Sequence, residues 1–206
     1  MNKHLVALGS VLLITCAPSA FAASSQDLTV TGVITPSACE TLITGGGVVD
    51  FGKMSAKELN ADQYTPLPRQ TVQLSVSCEG PTLFTLNTID NRPGSSANHP
   101  HWHGLGMTAE GEKIGGAGFN LYNPLADNLP AQTINSSDGG TTWQLGTQLN
   151  PTVLTAVAIN NVPVPVAVRQ FQANLRLNTH IAPSDSLTLL DEVPVDGHAT
   201  VQLMYL

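Results

Sequence analysis

Positive charge is what this chain of 206 residues lacks most, with 8 Lys and Arg against 15 Asp and Glu, and charged residues of either sign at only 11%. A surface that grips phosphate backbones needs clustered Lys and Arg. Here they stand singly at positions 53, 57, 69, 92, 113, 169 and 176, with Lys3 near the start. Nucleic acid is therefore not an expected partner. Aromatic residues are scarce too, at 5%. Helical patterning is nearly absent. The longest apolar run, Leu5 to Thr15, falls short of the roughly 20 residues that a membrane-spanning helix needs. Also missing are a Gly-x-Ser-x-Gly elbow, a His-Glu-x-x-His motif and a phosphate-cradling glycine loop. No enzyme is expected, and no cofactor. Asp90 and Asp138 lie in turn sequences, where Asp serves the backbone.

The N-terminus reads as an export signal. A short polar start with Lys3 leads into the apolar run, Pro18 breaks it, and Ala20-Phe21-Ala22 supplies the small residues of a cleavage site. Residues 1–22 are thus expected to be a signal peptide and residues 23–206 one mature domain. Loss of Lys3 leaves 8 − 1 = 7 basic residues, and 7 − 15 gives a formal charge of −8. Of the 3 cysteines, Cys16 leaves with the signal. Thr15 before it is not the small residue that a lipidated cysteine normally follows. Cys39 and Cys78 remain, and in an exported chain they most simply form a disulfide, the alternative being two buried thiols. The bridge would close a loop of about 40 residues, worth ~4 kcal/mol by chain entropy.

The mature sequence alternates at period two with β-branched residues, broken by Gly, Pro, Asn and Asp. Strands are expected at 28–34, 72–78, 83–89, 119–122, 141–145, 153–159, 164–177, 186–190 and 199–206. Ser136-Ser137-Asp138-Gly139-Gly140 has hairpin-turn chemistry, and Ser55 to Leu59 is the one short helical signal, with Ser55 as cap. In Val164 to Leu177 the apolar positions switch from even to odd, which places a β-bulge near Arg169-Gln170. Many short strands with turns between them indicate a single antiparallel β-sandwich of Ig-like type.

Two ends of the chain carry a resemblance. Gly32-Val33-Ile34-Thr35-Pro36-Ser37-Ala38-Cys39, with Cys78 closing the next core strand, resembles the first strand and disulfide of chaperone–usher fimbrial subunits. Asp196-Gly197-His198-Ala199-Thr200-Val201-Gln202-Leu203-Met204-Tyr205-Leu206, with its penultimate tyrosine, resembles their last strand. Leu105-Gly106-Met107, Lys113-Ile114-Gly115-Gly116 and the ending look closest to uncharacterised exported pilin-like proteins of proteobacteria. The resemblance implies a pilin-type sandwich short of one strand, with Ala199, Val201, Leu203 and Tyr205 on the strand that a periplasmic chaperone pairs with. Its implied partners are that chaperone, an outer-membrane usher and neighbouring subunits, and its implied place is the periplasm and then a surface fimbria. Ordinary donor extensions carry large apolar residues at alternate positions. Before Gly32 this chain offers only Leu28 and Val30, so a tip or terminator position is expected rather than a mid-fibre one. The alternative is a self-contained secreted or periplasmic binding module for a glycan or metal ion, its C-terminal strand the ordinary last strand of a complete sandwich.

His99, His101 and His103 raise the metal question. On a strand they would share one face with about 6.6 Å between successive Cα atoms, while zinc holds imidazole nitrogens at about 2.0–2.1 Å. Three in a row would need a bend, and no carboxylate accompanies them by spacing. The expectation is an exposed loop running into a strand with Trp102 tucked inward, and no metal. Trp102, Trp143 and Tyr122 could stack on sugar rings, but buried aromatics account for them as well.

Overall fold

The computed structural model describes residues 28–32 and 38–206. The chain divides into two units, residues 1–34 and residues 35–206. Of the first, residues 28–32 are described, and they form neither helix nor strand. The strand expected over 28–34 is therefore not present in its described part. The expected signal peptide lies outside the described residues.

The second unit is all β. Its strands are β1 (Cys39–Ile43), β2 (Thr65–Pro66), β3 (Gln70–Thr82) and β4 (Phe84–Asp90). There follow β5 (His103–Gly104), β6 (Gly115–Ala126), β7 (Leu129–Pro130), β8 (Gln132–Ser136) and β9 (Gln144–Leu145). The last four are β10 (Gln148–Leu149), β11 (Leu154–Ala158), β12 (Val168–Ile181) and β13 (Ala199–Tyr205). One sheet runs β1-β3-β12-β6-β10, with β2, β5 and β7 attached, and the other runs β13-β4-β11-β8-β9. All named strand pairs are antiparallel. Among the described residues no helix is long and apolar enough to cross a membrane.

The two sheets form a sandwich because each turns an apolar face to the other. Leu74, Val76, Leu121, Phe171 and Leu175 of the first sheet pack in one cluster with Phe84, Leu86 and Val157 of the second. Phe84 and Phe171 meet edge to face across the layers, their ring centroids 6.3 Å apart. The disulfide joins Cys39 to Cys78, directly opposed residues of β1 and β3. The register of β12 on β3 shifts between Val168 and Gln170, where the phase change in the sequence placed a bulge. Ser136 to Gly140 turns β8 back onto β9, with Ile134 opposite Leu145. Ser55 and Glu58 form a capping box on a short 3-10 turn, Ala56–Glu58. Residues 187–190, expected as a strand, have no regular structure; Ser184–Ser186 is a single 3-10 turn. Gly115 and Gly116 are strand residues. They lie in β6 because the His180 backbone and the Ser96 and Asn98 side chains approach too closely for a Cβ.

The two flanks of the sandwich differ. On one, the chain from Gln144 to Leu149 passes from the second sheet to the first, and the buried Asn135 side chain stitches the crossing. Its amide donates to the Gln148 carbonyl at 2.8 Å and its oxygen accepts the Gln148 N–H at 3.2 Å. Those are the outward-facing groups of β10, since the Leu121 N–H donates to the neighbouring Thr147 carbonyl. The β10 edge is thereby capped.

Candidate functional site

The opposite flank is open. β13 pairs with β4 and β1 with β3, and among the described residues neither has a second neighbour in its sheet. Antiparallel pairing uses the backbone groups of alternate residues. The Asn91 N–H donates to the His198 carbonyl at 2.9 Å and the Leu206 N–H to the Leu83 carbonyl at 3.1 Å. In that register the even-numbered residues of β13 bond to β4, and the N–H and C=O groups of Ala199, Val201, Leu203 and Tyr205 point to the free edge. On β1 the Glu79 N–H donates to the Ala38 carbonyl at 3.0 Å, so Cys39, Thr41 and Ile43 turn their groups outward. Unpaired strand edges are association sites.

Between the edges lies a groove of ≈470 Å³. Ile43, Val72, Phe119, Leu175, Leu177 and Val201 line its apolar part. All but Leu175 are only half buried, although they pack against the main core. A complete sandwich buries such residues; here the covering layer stops short. Ala199, Val201 and Leu203 share the inward side of β13, with Thr200 and Gln202 exposed. Tyr205 is 44% exposed, yet its hydroxyl accepts the Cys39 N–H at 3.0 Å and so ties the two edges together at one end of the groove.

The walls beyond the strands are chain without regular structure. On one side, the Asp196 N–H donates to the Leu105 carbonyl at 3.0 Å. Arg92 donates twice to the Asp196 carboxylate, at 2.6 and 3.1 Å, which fixes the approach to β13. On the other, residues 48–54 run as a strap with Val49, Phe51 and Met54 half buried. Lys53 and Glu192 join the walls by an ion pair of 2.7 Å. Both side chains are almost fully in solvent, so the pair contributes little stability.

His103 sits at the far end of the groove, 2% exposed. Its Nδ1 lies 3.2 Å from the Ala117 carbonyl and its Nε2 2.7 Å from the Thr88 hydroxyl. A carbonyl only accepts, so Nδ1 carries the proton and Nε2 accepts from Thr88. The ring stacks on Phe119 at 4.1 Å. Burial lowers its pKa, against the raising effects of the Ala117 carbonyl and the Asp90 charge.

The other two members of the histidine stretch part company with it. His99 and His101 are exposed on the loop before β5. His99 stacks on Trp102, which meets His180 edge-on at 5.0 Å. Trp102 lies flat on Gly118, where a Cβ would stand 2.5 Å from the indole ring. Among the described residues there is no group of three His, Cys, Asp or Glu side chains placed to hold a metal ion. The ring of Tyr122 lies under the Arg176 guanidinium, 4.0 Å away, and the Trp143 indole donates to the Gly140 carbonyl at 3.0 Å. Asp138 is a turn residue, its pKa lowered to about 2 by the Thr142 hydroxyl and N–H and by Ser136.

Sequence reasoning named Ala199, Val201, Leu203 and Tyr205 of β13 but not Ile43, Val72, Phe119 or Leu177 on the groove floor. Their alternation is the same as that of core residues, and only the missing cover distinguishes them.

Residues 28–102 match the model of a family of proteins of unknown function, DUF1120. The match takes in β1 to β4 and the disulfide. Over 91% of its length the chain is 27% identical to Protein GltF of Escherichia coli (strain K12), covering 92% of that protein. It is 22% identical to the uncharacterized protein YhcF of the same strain, over 100% of this chain and 99% of YhcF. The sandwich with its open flank is thus the structure of a chain similar, over nine-tenths or more of its length, to two E. coli proteins.

Proposed function

We propose that this protein is an exported structural or adhesive subunit of a fimbria-type surface assembly, completed by a β-strand from another polypeptide. The observation that carries this reading is the pairing of two free edges, β1 and β13, across one apolar groove. Adding a strand there would satisfy the backbone groups of Val201 and Leu203 and cover Val72, Phe119 and Leu177, the two requirements of β-strand addition. The resemblance of both chain ends to chaperone–usher subunits supplies the partners: a periplasmic chaperone and usher first, a neighbouring subunit afterwards. It also supplies the location, periplasm and then cell surface. Leu28 and Val30 are the only large apolar residues between the proposed cleavage site and Gly32. The chain is therefore proposed as an acceptor at a tip or terminator position, not as a repeating subunit. No catalytic role is proposed.

The test is export of the chain with and without the chaperone of a fimbrial system, followed by sizing and by refolding with a strand-forming apolar peptide. Aggregation or degradation alone and rescue by chaperone or peptide are expected. A monomeric, stable chain indifferent to both would instead be a self-contained binding module.

A further inference from the structure

The groove is not uniform along its length. The inward row of β12 reads Phe171, Ala173, Leu175, Leu177, Thr179 and Ile181, apolar at every place but one, and its stretch from Leu175 to Thr179 lines the groove. Thr179 is the exception. It is 2% exposed and lines the groove, and its hydroxyl oxygen has no hydrogen-bond partner among the described residues. A buried hydroxyl left unpaired is costly, and a valine of the same shape would avoid that cost. Neighbouring polar groups do not supply the bond. His103, which also lines this end, has both ring nitrogens engaged, by Ala117 and by Thr88. Gly104, Leu105, Ala117 and Gly197, also in the lining, carry no side-chain donor or acceptor, and no other polar group bonds the Thr179 hydroxyl among the described residues.

Resting on the strand-accepting reading above, we infer that the incoming strand is apolar where it covers Val72, Phe119 and Leu177 but carries a hydroxyl or amide side chain at the position that reaches Thr179. The occupant is thus a segment of alternating apolar residues with one Ser, Thr, Asn or Gln in its inward-facing row. Thr179 is the residue that selects it. A wholly apolar strand would bury the Thr179 hydroxyl with nothing to bond; a strand with the hydrogen-bonding residue would satisfy both groups at once. Site selection of this kind rests on leaving buried polar groups unpaired in the wrong partner.

The experiment is a threonine scan. The full chain is refolded with peptides of alternating valine and serine, in which each inward valine is replaced in turn by threonine, and Kd is measured by competition. One position is expected at which threonine tightens binding about tenfold, the size of one neutral hydrogen bond made to an otherwise unpaired group. In Thr179→Val that preference disappears and the all-valine peptide binds best. In Thr179→Ser, which keeps the hydroxyl, it persists. Tightest binding of the all-valine peptide to the unaltered chain, or the same preference in Thr179→Val, would overturn the inference and leave the strand-accepting groove standing. Binding of no peptide would overturn both.

Discussion

Acidification offers a sharp test of the buried end of the groove. His103 is neutral in the fold, hemmed in by Phe119, Thr88 and the Ala117 carbonyl, and burial lowers its pKa from the ordinary 6.5. The unfolded chain carries no such restriction. As pH falls below about 6.5, the unfolded state takes up a proton that the folded state refuses. Stability must then drop, by up to ~1.4 kcal/mol for each pH unit until the folded pKa is reached. Against a total of about 5–15 kcal/mol for a typical domain, a loss over even one unit is measurable. The window between pH 6.5 and 5 lies above the carboxylates with lowered pKa values. Glu112 and Asp138 also have lowered pKa values, but their stabilising effect fades only below their ordinary 4.5 and 3.8. His180, lowered first by burial and then by the charge of His99, adds a slope of the same sign. The assay is urea unfolding of the oxidised protein, with its partner strand supplied as peptide, at half-unit steps from pH 7.5 to 5. His103→Gln is expected to be less stable at pH 7.5 yet to show a flatter decline, while His180→Asn should retain most of it. Parallel pH profiles for the unaltered chain and His103→Gln would refute the argument.

Three further outcomes are expected. The denatured, unreduced periplasmic protein should show no free thiol, and Cys39→Ser with Cys78→Ser should lose ~4 kcal/mol by the chain-entropy estimate for a loop whose ends are 39 residues apart; a loss below 1 kcal/mol in chemical unfolding would contradict it. Leu203→Asp places a charge on the inward side of β13 and should abolish chaperone-dependent accumulation, whereas Gln202→Asp on the exposed side should not, as immunoblots of periplasmic extracts would reveal. Gly118→Ala should lift Trp102 from its seat, shifting its fluorescence toward that of a solvated indole, and an unchanged emission maximum would count against the close contact.

Much of the frame could be read from the sequence because local chemistry determined it. The switch of apolar parity after Val168 has one simple backbone solution, an extra residue, and the register shift is found there. The Ser136 to Gly140 turn and the Ser55 cap are equally local. The strand expected over 186–190 did not form. Alternation there satisfies the pattern, but a strand also needs a neighbouring edge to bond, and the sequence does not say which segments obtain one. His103 was grouped with His99 and His101 by spacing alone. The tertiary fold separates them by pairing His103 with Ala117 on β6 and turning its ring inward. The groove was legible only through the alternation of Ala199 to Tyr205; its floor and the solitary Thr179 emerge when two sheets are superposed.

The buried Asn135 has an effect that reaches beyond its own neighbourhood. By capping Gln148 with a side-chain amide, where another strand would otherwise bond, it withholds the outward groups of β10 from a second molecule. Under the proposed function, the body would then have a valence of one for strand acceptance. Such a molecule would terminate a line; it would not branch it or spread it into a layer.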